Sequence, residues 1–210
     1  MRMRNKPWAF DYLESNAHLV DINNEYAKKI KDFFPVDREL HIEVGTGMGT
    51  FITTLASRNP DINYVGIELD KNVMIRVVEK VKEHDLDNLR LVLLDANTIT
   101  DYFNSDEVDK IYLNFSDPWP KNRHAKRRLT HSGFLSSYKE ILKDDSIIEF
   151  KTDNRGLFEY SLQSMNAFGM RFQALNLDVH DNEPEDNIRT EYEEKFSSRG
   201  HKIYWIQASF

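Results

Sequence analysis

The chain has 210 residues, 40% hydrophobic and 12% aromatic, enough for one domain with a real core and against wholesale disorder. It contains no cysteine, which excludes disulfides, thiolate metal centres and cysteine nucleophiles, and its seven histidines show no His-Glu-x-x-His spacing, so no metal is expected. A net charge of −7 argues against coating nucleic acid over the whole surface, and no apolar run or signal-like N-terminus points to a membrane, so a soluble cytoplasmic protein is expected.

Residues 1–20 form an N-terminal arm, with Arg2, Arg4 and Lys6 followed by Trp8, Phe10 and Tyr12 and no clear period. It reads either as a partly mobile tail or as a segment that orders over substrate phosphate and cofactor. Residues 21–210 read as one domain. Asp21 is a plausible N-cap for a helix over 21–34, with Ile22, Tyr26, Ile30 and Phe33 at helical spacing and Pro35 ending it. Strands then alternate with helices. Strands are expected at 40–44, 64–69, 89–94, 108–115 and 146–151, and helices after the first turn to about 57, then at 71–83, 97–103, 133–142 and 155–168. Strands at 171–177 and 202–210 close the chain around an acidic, loop-rich stretch. Five strand–helix units predict a doubly wound, mostly parallel seven-stranded sheet, and the last two strands an antiparallel edge pair.

The stretch from Asn114 to Arg128 joins an acid, an aromatic ring and a run of cations directly after an apolar strand. Asp117 and Trp119 each precede a proline, which steers both toward extended backbone and predicts a stiff loop at the strand end. Lys121, Arg123, Lys126, Arg127 and Arg128 follow with no acid among them. With His124 neutral, residues 121–128 carry +5 and the rest of the chain −12. Such asymmetry fits either a solvated face or a focused anion-docking patch. Trp119 serves either as a base platform or as loop packing.

Three acids end consecutive strands. Glu43 begins the turn Glu43-Val-Gly45-Thr46-Gly47-Met-Gly49, whose glycines allow close approach of a ligand to the backbone, although Gly-x-Gly-x-x-Gly is not the spacing here. Glu68 is either an exposed strand-end charge or an acceptor for ribose hydroxyls. Asp95, with Ala96 and Asn97, is a helix cap, a ligand, or both. Ligands of open α/β sheets bind at this edge, and three carboxylates suit hydroxyls, amines and positive charge rather than a pyrophosphate. That favours S-adenosylmethionine over NAD. Asp153 and Asn154 cap the helix after the fifth strand, and Thr190-x-x-Glu193 has the form of a capping box.

The 43–49 turn resembles motif I of class I S-adenosylmethionine-dependent methyltransferases, which implies a Rossmann-like fold. The Ser116-Asp-Pro-Trp-Pro-Lys121 loop, the Lys151-Thr-Asp153 strand end and Thr190-x-Tyr192-Glu193 resemble the bacterial tRNA (guanine-N7)-methyltransferase family, over a span from about Trp8 onward. The resemblance implies that Glu43, Gly45, Thr46, Gly47, Glu68, Asp95, Ala96, Asn97 and Asp117 hold the cofactor, with Asp117 also the catalytic acid residue. It assigns Lys121, Asp153, Thr190, Glu191, Tyr192 and Glu193 to the substrate. Arg123, His124, Ala125, Lys126, Arg127 and Arg128 would meet tRNA, the substrate being guanine-46 of the variable loop. A monomer or a homodimer is compatible. An NAD-dependent oxidoreductase would leave the basic run idle, and a non-catalytic, cofactor-sensing RNA-binding protein would keep both sites. The absence of cysteine disfavours carbon-5 pyrimidine methylation, which needs a thiol nucleophile.

Overall fold

The computed structural model describes residues 6–210. Eight strands form one sheet: β1 (Val20–Asp21), β2 (Glu39–Val44), β3 (Ile62–Glu68), β4 (Leu89–Leu93), β5 (Val108–Asn114), β6 (Leu142–Thr152), β7 (Arg171–Asn176) and β8 (Tyr204–Ser209). Their order is β1-β4-β3-β2-β5-β6-β8-β7. Pairings from β1 across to β6 are parallel, and β8 lies antiparallel between β6 and β7. This is the Rossmann-like class I arrangement with its antiparallel C-terminal pair, carrying eight strands instead of the expected seven. The additional strand, β1, is two residues long, too short for an apolar period to register in the sequence.

The central strands are buried on both faces, which is why they read as nearly continuous apolar runs. β2 is buried at every position after Glu39. On one face, α1 (Ala9–Glu14), α2 (Thr50–Arg58) and α3 (Lys71–His84) pack through residues such as Leu13, Phe51, Ile52, Met74 and Val78. On the other, α4 (Ile99–Tyr102), α5 (Ser132–Ile141) and α6 (Arg155–Phe168) pack through Ile99, Phe134, Tyr138, Leu157 and Phe158. α6 forms where its signals place it: Asn154 Oδ1 accepts from the Leu157 amide at 2.8 Å, and Gly169, at φ 88°, turns the chain so that Met170 N donates to Met165 O.

Three local expectations are corrected. The helix expected over 21–34 does not form; only a 3-10 turn at Ile30–Phe33 does. Asn24 and Lys28 take positive φ (59° and 60°), which breaks a helix twice. Asp21 accepts from the amides of Asn23, Glu25 and Tyr26 and from the Tyr102 hydroxyl, at 2.7–3.1 Å, so the carboxylate organises a loop. β6 begins at Leu142, four residues earlier than expected. A further helix, α7 (Glu191–Ser197), forms inside the acidic stretch expected to be loop. Of the arm, residues 6–20 pack through α1 against α3, with Ala9 and Leu13 fully buried. Arg2 and Arg4 lie outside the described residues.

No helix among the described residues is long and apolar enough to cross a membrane. Asp21→Ala strands four donors around a buried position and should lower the unfolding free energy by about 3 kcal/mol. The melting temperature should fall by roughly 6–12 °C.

Candidate active site

The strand order reverses between β2 and β5, and the carboxyl ends of strands beside such a reversal are splayed into a crevice. Glu43 near the end of β2 and Asn114 at the end of β5 meet there, with Asn114 Nδ2 donating to Glu43 Oε1 at 2.9 Å. Both side chains are buried, and Glu43 Oε2, Asn114 Oδ1 and Thr46 Oγ1 have no hydrogen-bond partner among the described residues. Burial pushes the Glu43 carboxyl up to about 8; the Asn114 bond opposes this, and the charges of Glu68 and Glu191 reinforce it.

The glycine turn is held from beneath. The Gly45 and Thr46 amides both donate to Ile67 O on β3, at 2.8 and 3.2 Å. Gly66 underlies it, where an added Cβ would stand 2.7 Å from Thr46 Cγ2. Gly45 and Gly47 take φ of 85° and 52°, and a Cβ at either would meet nothing within 4 Å, so the turn opens onto space.

That space is a cleft of about 480 Å³ lined by Gly45, Glu68, Leu69, Asp95, Ala96, Asn97, Trp119, Lys126, Arg127, Leu129 and Phe134, among others. Of the residues predicted from sequence, Gly45, Glu68, Asp95, Ala96 and Asn97 share this cavity with Trp119, Lys126 and Arg127, whereas Glu43, Thr46, Gly47 and Asp117 do not line it. Glu68 folds back to accept from the amides of Gly47, Leu69 and Asp70, and burial raises its carboxyl against these bonds. Asp95 combines a capping role with its place on the wall: Oδ1 accepts from the Asn97 amide at 2.9 Å and side-chain nitrogen at 2.7 Å.

The loop after β5 is stiff, but not in the way two prolines predict. Trp119 adopts φ 41° and Phe115 φ 49°, left-handed values that cost a bulky residue on the order of 1–3 kcal/mol each. Arg128 accounts for the first. Its guanidinium is buried and donates to the carbonyls of Pro118 (3.2 Å) and Trp119 (3.3 and 2.9 Å), turning that peptide inward. Of the five cations, Arg128 therefore faces the protein. Lys121, Arg123, Lys126 and Arg127 are exposed, on and beside a 3-10 turn (Asn122–Arg127) that also holds His124 and Ala125. The Arg127 guanidinium lies 4.8 Å from the Trp119 ring centroid, and His124 meets the ring edge-on at 5.8 Å.

The C-terminal residues lie on and beside α7, which does not line the cleft but meets the loop after β5 through Tyr192 and Phe115. Thr190 Oγ1 accepts from the Glu193 amide at 2.9 Å, half of the capping box. The Glu193 carboxylate, fully buried, turns instead to Lys151 Nζ at 3.0 Å. Glu191 bonds Thr50 and Lys80, tying α7 to the helix that follows the glycine turn. Tyr192 stacks on Phe196 (4.2 Å) and packs against Phe115 (5.2 Å). Burial and then the charges of Asp153 and Asp117 hold its hydroxyl above the usual range. Asp117 is exposed; Asp153 is half-buried, 3.7 Å from His201, and raised by burial.

His180, Glu183 and Glu193 have ligand-like spacing, but Arg189 and Lys151 already engage both carboxylates. Sequence reasoning missed Asn114 as the partner of Glu43, though its place at a strand end was a usable signal. It also missed Thr50, Lys80 and the apolar wall of Leu69, Leu129 and Phe134, which only the tertiary fold assembles.

Glu43 yields a pH prediction. Its carboxyl stays protonated in the fold to about 8 but ionises near 4.5 when unfolded. Its contribution to stability is therefore fully present below pH 4.5 and declines between there and about 8. The decline is at most about 1.4 kcal/mol per pH unit. Glu43→Gln should remove this slope, so unfolding free energies at pH 5.5, 7 and 8.5 should converge on, then cross in favour of, the variant.

A family model described as "Putative methyltransferase" matches residues 37–206. The chain is 58% identical to the tRNA (guanine-N(7)-)-methyltransferase of Staphylococcus carnosus over the whole of both chains. It is 53% identical to that of Staphylococcus aureus, covering 100% of this chain and 98% of the relative. Among solved structures, a SAM-dependent methyltransferase from Aquifex aeolicus aligns over 98% of both chains at TM-score 0.57 and 16% identity. The 16S rRNA methyltransferase KamB aligns at TM-score 0.67 and 11% identity, covering 87% of this chain and 92% of that one. The fold is thus shared widely, whereas full-length identity above one half is specific: this chain belongs to the bacterial tRNA (guanine-N7)-methyltransferase family.

Proposed function

We propose that this protein methylates N7 of guanine-46 in the variable loop of tRNA, with S-adenosylmethionine as donor. The observation that carries the reading is the meeting, in one cleft, of Glu68, Asp95 and Gly45 of the glycine turn with Trp119, Lys126 and Arg127. The residues fit the donor. Glu43 Oε2 and Thr46 Oγ1 are buried and unpartnered among the described residues, and Gly45 and Gly47 leave a cradle that a Cβ would narrow. Glu68 and Asp95 offer acceptors for ribose hydroxyls and an adenine amine. When bound, the donor supplies an electrophilic methyl group on a positively charged sulfur.

Guanine N7 already carries an in-plane lone pair, so no residue need act as a base. The task of the chain is alignment at near-attack distance, which can contribute on the order of 7–11 kcal/mol. Asp117, exposed on the loop that packs against Tyr192 through Phe115, is the acceptor for the N1–H and N2–H₂ edge of guanine; adenine has no donors there. Each charge-assisted bond contributes about 1.5–3 kcal/mol. The same carboxylate offsets the positive charge that grows on the purine. Trp119 walls the cleft. Lys121 and Arg123, with Lys126 and Arg127 at the wall of the cleft, are exposed and serve tRNA phosphates. Asp153 and Tyr192 serve the substrate.

The reading is tested by incubating the protein with unmodified tRNA transcripts and methyl-labelled S-adenosylmethionine, then cleaving at 7-methylguanosine with borohydride and aniline. Label at a single variable-loop guanine is expected. Label at another site would overturn the assignment, and cofactor binding without transfer would favour a non-catalytic RNA-binding protein. Asp117→Asn should lower kcat/KM for tRNA by roughly ten- to a hundred-fold; full turnover would remove Asp117 from the mechanism. Lys126→Ala should weaken tRNA binding across sequences and reduce the slope of log K against log salt by about 0.7–0.9.

A further inference from the structure

Lys151 is the penultimate residue of β6 and only 2% exposed. It holds two parts of the candidate site with two different groups. Its backbone carbonyl accepts from the Phe115 amide at 2.8 Å, fixing the left-handed residue that opens the Asp117 loop. Its ammonium donates to Glu193 Oε2 on α7 at 3.0 Å, to Asn187 Oδ1 at 2.6 Å and to Ile188 O at 3.4 Å. Glu193, 0% exposed, accepts from Asn187 Nδ2 and meets His180 Nε2, both at 3.1 Å, so both its oxygens are occupied inside the protein. The loop and the helix held in this way touch through the Phe115 and Tyr192 rings.

We propose that Lys151 and Glu193 are a positioning pair, a buried ionic strut that holds the loop carrying Asp117 against α7 at the Phe115–Tyr192 contact and so sets the shape of the guanine site, without contacting substrate. This reassigns Glu193, which the family likeness places on the substrate, and it rests on the methyl-transfer reading above. Two features favour a strut over a ligand: the carboxylate has no free face, and its partner is the residue that anchors the opposing loop. An ionic link suits the task. The pair makes several geometrically defined bonds, whereas an apolar contact tolerates sliding.

The test is a double-mutant cycle in the full-length protein: Lys151→Met, Glu193→Gln, and Lys151→Met with Glu193→Gln. The double variant strands no buried charge, so it folds even if a single variant does not. Methyl transfer to tRNA, cofactor binding by calorimetry and hydrogen exchange across residues 190–197 are measured together. Each variant should lose kcat on the order of 100-fold, the effect of a misplacement near 1 Å. KM for tRNA should stay within about two-fold and cofactor affinity unchanged, because phosphate and cofactor contacts lie elsewhere. The double variant should be no worse than either single, and exchange over α7 should accelerate in all three. Wild-type kcat in the double variant, additive losses, or a Glu193→Gln effect confined to KM would each overturn the strut. An inactive wild type would refute the methyl-transfer reading instead; exchange over α7 would then decide the strut alone, unchanged rates refuting it.

Discussion

Where a parallel sheet reverses its strand order, two neighbouring strands send their connections to opposite faces and nothing covers their ends. In this protein that gap is spanned by one buried hydrogen bond, from Asn114 on β5 to Glu43 on β2. The bond leaves a carboxylate oxygen, an amide oxygen and the Thr46 hydroxyl buried and without partners among the described residues. Buried polar groups in this condition are costly, and a fold keeps them where a ligand supplies what is lacking. The raised Glu43 carboxyl has the same cause. The glycine turn, Glu68 and Asp95 lie around this point because they end or follow the strands beside it.

Cations in this protein have two occupations that composition does not separate. Some face water and give the basic rim its field. Others bond the protein itself: Arg128 bonds the carbonyls of Pro118 and Trp119, Lys151 joins β6 to α7, and Lys28, although exposed, donates to the carbonyls of Thr100 and Phe103. Loops at a sheet edge have carbonyls with no ladder to bond to, and a long flexible side chain with several donors can reach them. The strained φ at Trp119 persists because such bonds over-determine it.

The sheet, its parallel core, α6 and the line of strand-end acids were legible because they follow from periodicity and capping, which are local. The helix expected over residues 21–34 shows the limit. Its apolar spacing is helical, yet Asp21 gains more by gathering three amides and the Tyr102 hydroxyl, and that hydroxyl is eighty-one residues away. α7 was hidden for the opposite reason. Its sequence is acidic and short, and it forms against Thr50, Lys80 and Lys151, supplied by three other elements. Position along the chain likewise gives no hint that Arg128 turns inward while Arg127 does not.

The two bonds from the glycine turn to Ile67 have a thermodynamic consequence. Gly45 and Thr46 are tethered to the central sheet, and Gly66 lets the turn lie directly on β3. Their amides should therefore exchange with solvent deuterium as slowly as those of the sheet, although they stand at the mouth of a cleft. A ligand arriving there meets a backbone whose shape folding has already fixed. Ordering free glycines on binding would oppose association, since glycine loses more conformational freedom than any other residue. That entropy is lost once, during folding, and not again at each turnover.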